Sequence, residues 1–142
     1  MFESILVVCI GNICRSPMAE RLLKHALPDK TISSAGLGAL VGEGADPCAQ
    51  QLLLAEGIDL SDHVARQLNA DLVASHELIL VMTERQKTGL ESEYPSARGR
   101  VFRYCHWSGA DVPDPYQLET AAFEHALTLI RQGTSDWAAK LG

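Results

Sequence analysis

The fold of this chain is decided near its start, by the stretch Ile5-Leu6-Val7-Val8-Cys9-Ile10-Gly11-Asn12-Ile13-Cys14-Arg15-Ser16-Pro17. Its first four residues form a continuous apolar run rich in β-branched side chains, which predicts a strand buried on both faces in a parallel sheet. A loop containing Gly11 and Asn12 follows. Ser16 and Pro17 then predict the start of a helix, with Ser16 as its cap and Pro17 at its first position.

Strands and helices continue to alternate along the rest of the chain. Further strands are predicted at residues 31–35, 78–81 and 101–104, and further helices at 46–57, 83–94 and 118–141. We therefore expect a single α/β domain over residues 1–142, with a parallel sheet covered by helices on both faces. Such sheets bind ligands at the carboxyl ends of their strands, where we expect the loops that carry Cys9, Ser34 and Asp114.

Composition and charge exclude several classes of protein. A chain of 142 residues with 46% apolar residues can bury a core without disulfides or a structural metal. The formal net charge of −6 argues against a nucleic-acid-binding protein, which needs a basic surface. We see no signal peptide and no apolar run long enough to insert into a membrane, so we expect a cytoplasmic protein. In a reducing compartment Cys48 and Cys105 are expected to be free, buried residues.

The loop from Cys9 to Ser16 has the features of a site for a tetrahedral dianion. Small and flexible residues let the backbone curl, so that the successive N–H groups of residues 10–14 can point inward and form an anion nest. The start of the following helix adds partial positive charge. Arg15 can bind a phosphate through two parallel hydrogen bonds. Inorganic phosphate or vanadate should therefore occupy this loop.

The same surroundings favour a reactive cysteine at the base of the loop. Helix N-termini and neighbouring cations favour the thiolate form of a cysteine, so we expect Cys9 to attack phosphorus directly. The Ser16 hydroxyl would hydrogen-bond this thiolate and help it to leave in a second step. Asp114, held between two prolines, is the best candidate to protonate the leaving oxygen and then to activate water. We expect no metal and no other cofactor, because the nest and Arg15 supply the charge stabilisation.

Simpler interpretations exist for each of these residues. A Cys-x5-Arg pattern alone is weak, because a buried cysteine and a surface arginine produce it by chance. A preceding strand and a following Ser-Pro helix start strengthen it here. An isolated Asp-Pro is ordinarily a turn. Cys14 is either a packing residue or a partner that forms a reversible disulfide with Cys9.

Four segments of the chain resemble the low-molecular-weight protein tyrosine phosphatases. They are residues 9–17, Ser34-Ala35-Gly36, His63-Val64-Ala65-Arg66-Gln67 and Asp114-Pro115-Tyr116, in the order and spacing of the family. The resemblance implies a four-stranded parallel sheet with helices on both faces. It also implies hydrolysis of phosphotyrosine in proteins through a phosphocysteine intermediate at Cys9.

The resemblance further assigns supporting and pocket residues. Asn12 would turn through an unusual backbone conformation, held by hydrogen bonds from Ser16, Ser34 and His63. The slot for the phosphotyrosine ring would be lined by Ile10, Ile13, Leu40 and Tyr116.

Two departures from the eukaryotic members are similar to the bacterial branch of the family. Tyr116 is followed by Gln117 rather than by a second tyrosine, and residues 35–42 contain no aromatic side chain. That branch is paired with tyrosine autokinases that control capsule and exopolysaccharide export. The resemblance therefore implies a bacterial tyrosine autokinase as the protein substrate of a monomeric enzyme.

Two other functions compete with this one. Thiol-dependent arsenate reductases share the fold and the Cys-x5-Arg loop, but they need two further cysteines, and residues 78–104 contain none. A non-catalytic phosphotyrosine-binding module would need neither a thiolate nor an acid, so the presence of both Cys9 and Asp114 argues against it.

Overall fold

Four segments of the chain form one parallel sheet. They are β1 (Ser4–Cys9), β2 (Thr31–Gly36), β3 (Leu78–Val81) and β4 (Val101–Arg103), in the spatial order β2-β1-β3-β4. The structure is a computed structural model that describes residues 2–142, so Met1 of the predicted domain lies outside the described residues. The central strands β1 and β3 are buried on both faces, which explains their continuous apolar sequences.

Five α-helices cover the two faces of this sheet. They are α1 (Arg15–Ala26), α2 (Pro47–Leu54), α3 (Ala70–Ala74), α4 (Glu84–Glu93) and α5 (Thr120–Leu141), with a short 3-10 helix at Pro95–Ala97. Ile5 and Val7 face a core shared with α1, α2 and α5. Leu6 and Val8 face a second core with α3 and α4. The predicted fold class is therefore confirmed.

The first helix begins earlier than predicted. Arg15 rather than Pro17 is its first residue, and Cys14 is its N-cap without a side-chain capping bond. The prediction that Ser16 caps this helix is wrong, because Ser16 lies inside the first turn and its hydroxyl contacts the sulfur of Cys9. Pro17 remains compatible with this turn, whose N–H groups have no partner within the helix.

Four local predictions also differ from the structure. The helix α3 was not predicted, because five residues capped by Asn69 are too few to show a helical period. Leu118 lies before α5 and is 60% exposed, rather than on its buried face. Ser34 lies inside β2, paired with Val7, so the strand predicted at residues 31–35 is confirmed and the placement of Ser34 in a loop is wrong. Cys48 is only partly buried, because it lies in the first turn of α2 near the surface, whereas Cys105 is buried as predicted.

The strand order places a crevice where β1 ends. β1 is the second strand of the sheet, with β2 on one side and β3 on the other, so the connections from these strands diverge at the carboxyl end of β1. Cys9 is the last residue of β1 and therefore opens into this crevice. No helix within residues 2–142 combines the length and the apolar character needed to cross a bilayer.

Candidate active site

The loop of residues 9–16, hereafter the anion loop, is fixed through its carbonyl groups. The carbonyls of Cys9, Ile10, Gly11 and Ile13 accept hydrogen bonds of 2.8–3.0 Å from the N–H groups of Leu37, Gly38, Leu40 and Asp46. Among residues 2–142, no protein acceptor is bonded to the N–H groups of residues 10–15. The loop thus holds its carbonyls against the protein and keeps its N–H groups available for an anion, beside the positive end of α1.

Asn12 is the residue that lets this loop turn. Its φ of 59° lies in the left-handed region, and its side chain is completely buried. The Nδ2 group donates to the Ser16 hydroxyl at 2.8 Å and to the Ser34 hydroxyl at 3.1 Å. His63 Nε2 donates to the Asn12 carbonyl at 2.6 Å. The N–H of Arg66, which sequence reasoning missed, donates to Asn12 Oδ1 at 2.9 Å.

Cys9 lies at the floor of the site. The residue is 2% exposed, and its Sγ atom is 2.9 Å from the Ser16 hydroxyl. Because Ser16 Oγ already accepts a hydrogen bond from Asn12, the single hydroxyl proton of Ser16 is free to point at the sulfur. This arrangement stabilises negative charge on Cys9.

Arg15 closes the site from the side of the helix. The residue is 2% exposed, and its Nη1 atom donates to the Val112 carbonyl at 2.8 Å. Its Nη2 atom is 3.6 Å from Asp114 Oδ2. Within the described part of the chain, the buried Nε atom has no hydrogen-bond partner. A buried guanidinium with an unused N–H group is suited to bind an anion in the loop.

Asp114 lies at the mouth of the same pocket, on the loop before α5. Its side chain is 45% exposed, and its Oδ1 atom accepts a hydrogen bond from the N–H of Tyr116 at 3.1 Å. The pocket is open to solvent at this mouth. It is lined by Cys9, Ile10, Gly11, Ile13, Cys14, Arg15, Gly38, Leu40, Asp114 and Tyr116. Its apolar walls above an anion-binding floor suit a phosphate carried on an aromatic ring.

Cys14 also lines the pocket, but as a protonated thiol. Burial, reinforced by the negative charge of Asp46, raises the pKa of Cys14 far above its ordinary value. A raised pKa disfavours the thiolate, which is the nucleophilic form of a cysteine.

Comparisons with known proteins agree with this geometry. The family described as low molecular weight phosphotyrosine protein phosphatase matches residues 4–142. The low molecular weight protein-tyrosine-phosphatase Ptp of Acinetobacter johnsonii is 49% identical over 136 residues, which is 96% of each chain. The phosphatase Wzb of Salmonella typhimurium is 48% identical, covering 99% of this chain and 95% of its own. The structure of Vibrio vulnificus Wzb in complex with benzylphosphonate has a TM-score of 0.96 at 40% identity, covering 99% of this chain and 100% of that one. The chain therefore belongs to the low molecular weight protein-tyrosine-phosphatase family.

Proposed function

We propose that this phosphatase hydrolyses phosphotyrosine in a protein substrate through a phosphocysteine intermediate at Cys9. One observation carries the proposal. The sulfur of Cys9 lies at the floor of a loop in which the N–H groups of residues 10–15 and the buried Nε of Arg15 have no protein partner among residues 2–142. These donors surround the place where the three non-bridging oxygens of a phosphoryl group would bind, directly above the nucleophile.

The first chemical step transfers the phosphoryl group to the enzyme. The Cys9 thiolate attacks phosphorus and forms an S–P bond while the P–O bond to the tyrosine oxygen breaks. Asp114 gives its proton to that oxygen as it leaves. Arg15 and the N–H groups of the anion loop stabilise the charge of the transition state.

The second step releases inorganic phosphate. Water attacks the phosphocysteine, and the Asp114 carboxylate accepts the proton of that water. The S–P bond breaks and Cys9 leaves as a thiolate, stabilised by the Ser16 hydroxyl at 2.9 Å. Neither step requires a metal ion, so we propose that activity is independent of metals.

The walls of the pocket select the substrate. We propose that Ile10, Ile13, Leu40 and Tyr116 hold the phosphotyrosine ring. Phosphoserine would be rejected because its phosphate does not reach the thiolate when its backbone stays at the mouth. The complex of Vibrio vulnificus Wzb with benzylphosphonate, in which one methylene group joins the phosphonate to an aromatic ring, supports this assignment.

We propose that the physiological substrate is a bacterial tyrosine autokinase that controls capsule or exopolysaccharide production. The similarity to Wzb, the non-aromatic segment 35–42 and Gln117 after Tyr116 support this proposal. We further propose that the chain acts as a monomeric, single-domain enzyme in the cytoplasm, where the reducing environment keeps the Cys9 thiol free.

The mechanism is tested with p-nitrophenyl phosphate and two cysteine variants. Cys9→Ser should abolish turnover, whereas the matched control Cys48→Ser, at a partly buried cysteine outside the pocket, should retain it. Vanadate should inhibit the enzyme and EDTA should not. Near-normal activity of Cys9→Ser would exclude the phosphocysteine mechanism. Robust turnover in a thioredoxin-coupled arsenate assay would favour the reductase instead.

The substrate is tested with phosphorylated proteins. The enzyme should dephosphorylate the tyrosine autokinase of its own organism with a kcat/KM well above that for an unrelated phosphotyrosine protein. A matched phosphoserine peptide should not be hydrolysed. Equal values for the autokinase and the unrelated protein would contradict the proposed partner.

A further inference from the structure

The segment that carries Asp114 makes its backbone hydrogen bonds to the rest of the protein near its first residues. Residues 110–118, hereafter the acid loop, contain no helix or strand. Backbone bonds to the rest of the protein are made by Ala110, whose N–H donates to Cys105, and by Val112, whose N–H donates to the Met82 carbonyl at 2.9 Å. Among residues 2–142, the backbone bonds that follow Val112 in this loop stay within it. Backbone bonds made two to four residues earlier therefore hold Asp114 from one side, while the buried Pro115 and the contact with Arg15 hold it from the other.

One side chain adds a second anchor at this end. Asp111 Oδ1 accepts a hydrogen bond from the N–H of Glu84 at 3.0 Å and another from Arg103 Nη1 at 3.1 Å. Arg103 also places its Nε atom 3.3 Å from Glu84 Oε2, and its Nη1 atom donates to the Gly109 carbonyl at 3.3 Å. Asp111 thus ties the acid loop to the end of β4 and the start of α4.

The two attachment points, Val112 and Asp111, restrict different movements of the acid loop. Val112 is completely buried, and its backbone contacts Met82 and Arg15 whatever its side chain. The hydrogen bonds of Val112 fix its position, but the residues after it can still rotate within the limits set by the buried Pro115 and by α5. The bonds of Asp111, made to partners on two other elements, oppose that rotation.

We propose that Asp111, held by Arg103, is a positioning residue for the general acid. It touches neither the pocket nor the reacting atoms, and it acts by fixing the direction in which the acid loop leaves Val112, so that Asp114 meets the leaving oxygen. This inference rests on the proposed acid role of Asp114.

The test compares a good and a poor leaving group. Asp111→Ala should lower kcat/KM for phenyl phosphate by about 10-fold, which is less than the 10²–10⁴-fold that complete loss of a general acid costs. For p-nitrophenyl phosphate, whose leaving group departs with little help, the loss should stay below about 2-fold. Asp111→Asn, which keeps an acceptor for the N–H of Glu84 but lacks the charge that faces Arg103, should fall between the wild type and Asp111→Ala.

Controls separate positioning from general damage. Lys87→Ala removes another ion pair of α4, with Glu91 at 3.4 Å, and should change neither rate. In an Asp114→Asn background, Asp111→Ala should cause no further loss with phenyl phosphate, because the acid is already absent. A further loss there, or an equal fall with both substrates, would overturn the inference.

The Asp114→Asn variant, assayed with the same two substrates, separates a failure of the acid role of Asp114 from a failure of the positioning role of Asp111. If Asp114→Asn slows both substrates equally, the acid role itself fails. If Asp114→Asn slows phenyl phosphate selectively and Asp111→Ala does not, the acid role stands and the positioning role of Asp111 is overturned.

Discussion

Gly36 ends β2 beside the anion loop, and alanine at this position would place a methyl group where the chain leaves no room. The added Cβ would lie 2.4 Å from the carbonyl oxygen of Ile10 and 3.0 Å from the Cβ of Ala39. The closest ordinary contacts between carbon and a carbonyl oxygen are about 3.3 Å. The Ile10 carbonyl, or the strand beneath it, must therefore move by about 1 Å.

That displacement would affect Ile10, the residue next to Cys9, which we propose as the nucleophile. The Ile10 carbonyl also accepts the N–H of Gly38 at 3.0 Å, so its movement disturbs the flanking segment as well. A shift of about 1 Å in a catalytic arrangement costs roughly 10²-fold in rate. Overpacking costs about 1–3 kcal/mol of stability. We therefore expect Gly36→Ala to fold, to unfold at lower urea concentration and to lose about 10²-fold in kcat/KM.

The measurement pairs kinetics with unfolding. Gly36→Ala and the control Gly89→Ala are assayed with p-nitrophenyl phosphate, with vanadate as inhibitor, and in urea. Gly89 lies within α4, where an added Cβ would meet no atom within 4 Å, so its variant should keep full activity. If Gly36→Ala retains kcat/KM within about 2-fold of the wild type, the loop does not depend on this close approach.

Three further predictions concern the surroundings of the site and the core. Because burial raises the pKa of Cys14, iodoacetamide at pH 8.5, where an ordinary thiol is about half ionised, should leave Cys14 unmodified in the folded enzyme by peptide mass mapping. Modification before unfolding would contradict its burial. Ser34→Ala removes an acceptor from the buried amide of Asn12 and should lower the free energy of unfolding by about 1–3 kcal/mol, together with a fall in kcat. Unchanged stability in urea would show that this bond contributes nothing. Gly133→Ala improves helix propensity by about 1 kcal/mol but brings a Cβ within 2.7 Å of the Tyr104 carbonyl, so we expect net destabilisation with normal activity. A raised melting temperature would mean that the neighbouring backbone moves without cost.

The sequence predicted the site best where one short segment contains both the reactive residue and the local structure that positions it. The apolar run before Cys9 and the glycine and asparagine after it predicted a strand and an anion nest, and both β1 and the free N–H groups are present. The pocket also brings Asp114 beside Arg15, although 99 positions separate them in the chain. The two prolines around Asp114 and the family resemblance were the signals for that pairing.

Hydrogen bonds between residues that lie far apart in the chain could not be predicted from the sequence. The helix boundary at Arg15 differed from the prediction because the Ser16 hydroxyl binds sulfur instead of capping the helix. The bond from Arg66 to Asn12 uses a main-chain N–H, which any residue except proline supplies. Nothing in the sequence distinguishes Asp111 and Arg103 from other charged residues. They come together because the end of β4 lies beside the start of α4 in the fold.

The hydrogen bonds that shape the anion loop have a consequence for mutational scanning. Four of them come from the main chain of Leu37, Gly38, Leu40 and Asp46, and these N–H groups survive every substitution except proline. An alanine scan would therefore underestimate how much residues 37–46 contribute to the shape of the anion loop. A proline scan would show this contribution, because each proline removes one N–H donor and leaves one carbonyl of the anion loop without its hydrogen bond. Tolerance to side-chain changes at these four positions would show that main-chain atoms shape the anion loop.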